Sequence, residues 1–431
     1  MTLLRPPEPV LAIARRLEEG GFEAWCVGGA VRDAMLGHPH LDWDFATSAT
    51  PEQVREIFGH RRTIPVGIQF GTVGVLDPEG TLHEVTTFRR DIKTDGRHAE
   101  VEFGATLEED LARRDFTINA IAYSPSRDEL RDPFDGREDL SRRMVRAVGD
   151  ADARMREDRL RALRAIRFAA RFDFTIERTT LAAIERSAPH MGRLSPERVK
   201  QELEKTMEQV KRPGRALALW KSTGVLGTVI PALSNVGDDT LSALDLLPPA
   251  SSATKPYRVF TRVAVLFIEL GEPGARRALT ALRFSRAEIR RVGDLAGTWS
   301  EIGAAVDEAL ASPKDPSDAR VRHWVAAIGR LDLPPFMRIA GALWRARRPS
   351  DRGLQSRLGS LYRRMLLAAR NDPIEIADLA IDGDDLRAAG ITNGPLIGKI
   401  LHALLDAVLE DPSRNTRDSL LQEAKRVEGR G

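Results

Sequence analysis

Two carboxylates one residue apart, Asp42 and Asp44, stand in the stretch WCVGGAVRDAMLGHPHLDWDFAT, residues 25–47. Side chains alternate along a strand, so both aspartates face one side while Trp43 faces the other. Converging carboxylates repel unless a cation lies between them, and hard divalent ions prefer oxygen ligands. Upstream, the Gly28-Gly29 pair lets backbone N–H groups approach a ligand closely, with Arg32 beside it; such a turn suits a triphosphate. Singly, an Asp-x-Asp is common and a Gly-Gly pair is an ordinary turn. Here twelve residues separate Gly29 from Asp42, with Arg32-Asp33 among them, and the combination points to a site for metal and phosphate.

Further along, Arg113-Arg114-Asp115 sets two guanidinium groups before an acid. Their planar forks suit phosphate or sugar oxygens, with Asp115 orienting them, although alone such a triplet is usually surface charge. The stretch MREDRLRALRAIRFAARF, 155–172, reads as one helix. On a helical wheel Glu157, Arg161, Arg164, Phe168 and Arg171 fall near one line, with Asp158 placed to couple to Arg161 as an i,i+3 pair. Leu163, Ile166 and Ala170 form the opposite, buried stripe. Five arginines between 159 and 171 gather on and around one face. The plain alternative is an arginine-rich surface helix.

The elements that must hold these groups follow from pattern. Residues 8–20 form an amphipathic helix ending at Gly20-Gly21, before a first strand. The loop and second strand end in the two aspartates, and Ser48 or Thr50 caps a helix starting at Pro51. GIQFGTVGVL and TLHEVTTFR are strand-like, with Pro78-Glu79-Gly80 as their turn. The result is an α+β head on a mixed or antiparallel sheet rather than a parallel dinucleotide-binding one. Glu84, on the second of these runs, is either a third metal-facing carboxylate or a cross-strand partner for a basic residue. Residues 89–104 are charged and aperiodic and read as a mobile loop. DPFDG, 132–136, closes the head with a turn.

VGGAVRD followed by DWDFAT resembles the nucleotidyltransferase superfamily typified by DNA polymerase beta, in the branch holding bacterial tRNA nucleotidyltransferases (CCA-adding enzymes) and poly(A) polymerases. RRDxxxNA at 113–120, the E-D-x-x-R-x-x-R-x-x-R set (Glu157, Asp158, Arg161, Arg164, Arg167) and S-x-E-R at 195–198 are similar to further motifs of that branch. The likeness runs from about 25 to 232, and more loosely through 257–300 and 374–425. It implies transfer of C, C and A from CTP and ATP to the 3′ end of tRNA, with pyrophosphate released. Asp42 and Asp44 would be catalytic and hold Mg²⁺. Gly29, Arg32, Arg114, Asp158, Arg161, Arg164 and Arg167 would bind the nucleotide, with Asp158 and Arg161 imitating a template base. A carboxylate accepts from the exocyclic amino group that C and A share, and a guanidinium donates to the ring nitrogen and carbonyl. The 89–104 stretch resembles a loop associated with adding the terminal A. A partial CC- or A-adding enzyme and a bacterial poly(A) polymerase remain alternatives, as does a non-catalytic RNA-binding protein.

Composition sets outer bounds. The 65 basic and 63 acidic residues leave a net charge of +2, so bulk charge does not advertise nucleic acid. Residues 151–220, however, hold 16 Lys/Arg against 10 Asp/Glu. One cysteine, Cys26, excludes an internal disulfide and fits a reducing cytoplasm. No run has the length of a bilayer span, and the N-terminus lacks a signal-peptide core. The expected organisation is a nucleotidyltransferase head over 1–145, then an all-α neck over 146–235, body over 236–345 and tRNA-binding tail over 346–431. Within these, 236–256 reads as a linker or exposed loop, Ser195 as an N-cap and Trp220 as core, and Asp382 caps a helix rather than binding calcium.

Overall fold

The computed structural model describes residues 4–38, 43–94, 99–247 and 255–428. The chain packs as two compact units, Met1–Val210 with Leu219–Pro231, and Lys211–Ala218 with Ala232–Gly431.

In the first unit, helix α1 (Glu8–Glu19) buries Val10, Ile13, Ala14 and Leu17 along one stripe. Strand β1 (Ala24–Val27) is an apolar run buried at every position. Helix α2 (Gly29–Met35) follows, then β2 (Asp44–Thr47), α3 (Pro51–Phe58), β3 (Thr63–Gly67), β4 (Thr72–Leu76) and β5 (Leu82–Thr87). Thr50, not Ser48, caps α3, in a capping box with Gln53. Next come β6 (Arg89–Thr94), β7 (Ala99–Phe103), α4 (Leu107–Ala112), β8 (Ala122–Ser124), β9 (Glu129–Arg131), α5 (Gly136–Ser141) and β10 (Met144–Val145). The main sheet runs β3-β4-β5-β2-β1-β8-β9 and is mixed: β2 and β5 are parallel, the other neighbours antiparallel. Trp25, Val27, Ala46, Phe88, Leu107 and Leu111 share a core on one side of it. Phe45 and Val85, paired across β2 and β5, are completely buried, and an aromatic side chain so placed contributes ~2–3 kcal/mol.

The structure departs from the sequence pattern at three stretches. The 89–104 stretch is a hairpin, β6 against β7, held at its exposed face by Arg90 and Glu102 at 2.7 Å. Ala99, Val101 and Phe103 alternate with Glu100 and Glu102 in sequence, a strand signal that the aperiodic reading of the whole stretch missed. Asp95-Gly96-Arg97 lies outside the described residues. The 155–172 stretch is two helices, α6 (Ala151–Glu157) and α7 (Leu160–Phe172), broken where Asp158 turns extended (φ −147°, ψ 103°). Of the stripe expected on α7, Leu163 and Ile166 are buried and Ala170 half-buried. The 236–256 stretch, expected as a linker, contains a helix, Asp238–Leu246, with Thr240, Leu241, Ala243 and Leu244 buried.

After α7, β11 (Thr175–Ile176) pairs parallel with β10, and α8 (Arg178–Ser187) and α9 (Pro196–Gln209) complete the neck. Ser195 occupies the N-cap position of α9, but its hydroxyl makes no cap bond. Trp220 is fully buried. The second unit is helical. Trp299, Phe336 and Trp344 pack together in its earlier part, and Ile397, Ile400, Leu404, Val408 and Leu420 in its last part. Asp382 caps the helix Gly383–Ala388, as expected. No helix among the described residues is long and apolar enough to cross a membrane.

Candidate active site

β2 begins at Asp44 rather than ending there. β1 spans only four residues and its last pair is Val27↔Asp44, so the ladder has no partner for anything earlier. Asp42 lies outside the described residues. β2 and β5 run parallel with Phe45 opposite Val85, which sets Asp44 beside Glu84 on the sheet face opposite those buried side chains. Both line one cavity of about 550 Å³. Glu84 thus shares the cavity with Asp44.

The same cavity is lined by Gly28, Gly29, Arg32, Arg114, Asp115, Asn119, Asp158, Arg161, Arg164 and Arg198 among others. Among the described residues, seven arginines face four carboxylates around it, a balance that favours a polyanion. Gly28 has φ +73°, and a Cβ there would stand 3.0 Å from Arg114 Nη1. Only glycine combines that backbone with so close an approach. Arg114 is itself held by Asp110 at 3.2 Å, where burial pushes the carboxyl up but Arg114 and Arg113 outweigh it and hold it below its ordinary value.

Arg32 faces the cavity but spends its guanidinium inward. It pairs with Asp33 at 2.6 Å, donates to Asn119 Oδ1 at 2.5 Å, and packs over the rings of Phe168 and Phe172. Burial pulls its pKa below the ordinary value, with Asp33 opposing. Asn119 donates to Asp115, which accepts from Arg164 at 2.7 Å; on the other side Arg171 reaches Asp33 at 3.2 Å. Arg164 and Arg171 are both on α7. These contacts form a closed ring through α2, the 115–119 turn and α7, and fix the glycine turn relative to the arginine helix. Burial pushes the Asp115 carboxyl up, yet Arg164 and Asn119 hold it below its ordinary range.

Asp158 and Arg161 both line the cavity but do not pair with each other. The break after Glu157 aims Asp158 at Arg198 of α9, 2.7 Å away, while its other oxygen accepts from the Leu160 N–H. Arg161 pairs with Glu157 at 2.6 Å and donates to the carbonyls of Arg154 and Arg113. Arg167 does not line the cavity. It is buried, 2.7 Å from Glu202, with a further bond to Gln209. Arg198, which stands in the S-x-E-R stretch, is a lining residue to which sequence reasoning gave no role at the site. Asn119 was visible in the Asn-Ala pair without a stated contact.

Family models match along the chain: the poly A polymerase head domain over residues 24–146, "Probable RNA and SrmB- binding site of polymerase A" over 173–236, and tRNA nucleotidyltransferase domain 2 over 342–424. The CCA-adding enzyme of Latilactobacillus sakei subsp. sakei (strain 23K) is 36% identical over 423 residues, covering 96% of this chain and 97% of that protein. That of Geobacillus kaustophilus (strain HTA426) is 35% identical over 426 residues, covering 97% and 96%. The crystal structure of the Bacillus stearothermophilus CCA-adding enzyme in complex with CTP shares 31% identity and a TM-score of 0.74, covering 99% of each chain. Likeness of this extent takes in the helical half as well as the cavity, and so decides more than a shared head domain would: the chain belongs to the CCA-adding enzyme family.

Proposed function

We propose that this protein adds C, C and A in turn to the 3′ end of tRNA, taking CTP and ATP and releasing pyrophosphate, without a nucleic-acid template. The observation that carries the reading is the single cavity in which Gly28-Gly29, Asp44, Glu84, Arg114, Asp158 and Arg161 meet. In the reaction the primer 3′ oxygen attacks the α-phosphorus, a new P–O bond forms, and the bond to the β-phosphate oxygen breaks. The Gly28–Gly29 turn and Arg114 would receive the triphosphate. Arg161 and Asp158 would present donor and acceptor to the base edge, a pattern that suits C and A and opposes U and G. Asp158 can do so only by sharing or leaving Arg198.

Carboxylate oxygens, with no thiolate or imidazole among the described lining residues, fit a hard divalent ion, for which Mg²⁺ is proposed. Among the described residues no trio of metal-binding side chains gathers; Asp44 and Glu84 are the two present, and Asp42 is proposed as the third. Bound there, magnesium supplies Lewis-acid charge and lowers the pKa of the primer hydroxyl. Helices of the second unit would grip tRNA by its backbone shape. A cytoplasmic setting accords with this substrate.

The test supplies tRNAs ending before CCA, after C and after CC, each with labelled CTP or ATP alone. Incorporation at every stage with a halt after one A supports the reading. Failure at one stage would make it a partial enzyme, and long A tracts a poly(A) polymerase.

A further inference from the structure

We infer that His83 is a positioning residue: its imidazole, wedged between Asp77 and the Trp43 carbonyl, fixes the peptide from which Asp44 projects. The inference rests on reading Asp44 as the metal-facing carboxylate. His83 is on β5 and 2% exposed. Its Nδ1 lies 3.2 Å from the carbonyl oxygen of Trp43, and its Nε2 lies 3.2 Å from Asp77 Oδ2. Alternation along β5 puts His83 on the buried face and Glu84 on the cavity face; the same holds for Trp43 and Asp44. The ring therefore backs the floor of the cavity and touches no substrate.

Its anchor is firm. Asp77 Oδ1 accepts from the N–H groups of Glu79 and Thr81, and the Asp77 N–H donates to the Thr81 carbonyl, so the turn after β4 holds the carboxylate in place. At the other end of the relay, the Trp43 carbonyl belongs to the peptide bond that enters Asp44, where the β2 ladder starts. The orientation of that peptide sets the direction in which the Asp44 side chain leaves the strand. Displacements well under 1 Å at a reacting centre change rates by an order of magnitude or more.

Two near-isosteric substitutions separate this role from mere filling. His83→Asn places its amide nitrogen where Nδ1 stands and keeps the Trp43 contact. His83→Gln reaches Asp77 as Nε2 does and loses Trp43. The readouts are kcat and KM for CTP, Mn²⁺ affinity by magnetic resonance without substrate, and the thermal midpoint. His83→Gln is expected to lower kcat about tenfold and to weaken Mn²⁺ binding, with KM for CTP and the midpoint close to those of His83→Asn, which stays near the wild-type rate. Equal losses in the two variants, or a His83→Gln protein with unchanged kcat and Mn²⁺ affinity, would overturn the inference. Should the Gln variant not fold, His83→Leu replaces it. That change fills the site, removes the donor to the Trp43 carbonyl, and should lower kcat and Mn²⁺ affinity together relative to His83→Asn; unchanged values would again overturn the inference. A wild-type chain that transfers nothing would sink the reading of the site instead.

Discussion

Arg198 of α9 holds Asp158 at 2.7 Å, across 40 residues of sequence, where Arg161 three residues on would have been the simpler partner. The acid expected to read the base is thus steered from a separate helix. Removing each side of the pair should have different consequences. Asp158→Ala is expected to relax the choice of CTP and ATP over UTP and GTP by about tenfold or more, equivalent to ~1.4 kcal/mol, while metal dependence is unchanged. Arg198→Ala should lower kcat/KM for CTP and ATP together, and Arg198→Lys should recover part of the loss. Single-turnover incorporation of all four nucleotides decides. Equal loss of discrimination and of metal binding in Asp158→Ala would count against a base-reading role.

Arg167, expected at the nucleotide, is instead expected to act in stability. Truncating it to Met leaves the Glu202 carboxylate buried without its main partner, a cost of ~3–5 kcal/mol. The double change Arg167→Met with Glu202→Leu should restore most of that, because a well-packed apolar pair replaces the ions. Urea midpoints of the single and double variants measure it, and KM for CTP should stay within about twofold.

Glu177 gives a stability term with a definite pH sign. It caps α8, accepting from the N–H and the hydroxyl of both Thr179 and Thr180. Burial pushes its carboxyl up, but these bonds outweigh burial and hold it at about 2, against an ordinary 4.5. The folded value is depressed, so the contribution is complete above the unfolded pKa and disappears as pH falls from about 4.5 through about 2. Glu177→Gln should cost about 1 kcal/mol at neutral pH. The gap from wild type, read by urea titration, should narrow steadily below pH 4.5.

Metal removal should be decisive for the carboxylate pair. EDTA is expected to stop transfer and added Mg²⁺ to restore it. Asp44→Asn should lower kcat by at least about a hundredfold, while Glu84→Gln should chiefly raise the Mg²⁺ concentration needed for half the rate. A Glu84→Gln protein with an unchanged Mg²⁺ titration would return Glu84 to the role of an ordinary strand residue.

Much of the head was legible because its signals are local. The glycine turn, the capped α3 and the turn before β5 each depend on residues a few positions apart. Glu84 stayed open between two roles, because its place beside Asp44 depends on the parallel pairing of β2 with β5, which are far apart in sequence. What escaped reading depends on partners far along the chain. The helical wheel of 155–172 assumed an unbroken rod, whereas Asp158 satisfies the Leu160 N–H with its side chain and opens the helix there. Arg164 and Arg167 stand in one repeated motif, yet Asp115 claims the first and Glu202 the second. The β6–β7 hairpin did carry a signal, the alternation of residues 99–103, which was lost among the charged and glycine residues before it.

Cys26, on β1 at the heart of the sheet, is fully buried, and burial together with the nearby charge of Asp44 pushes its thiol well above the ordinary value. With no thiolate to offer, the protein should ignore maleimides, iodoacetamide and mild peroxide. Because it is also the chain's only cysteine, any new one placed on the surface becomes a unique handle. Dyes or spin labels can then report distances in the working enzyme without first stripping native sulfur.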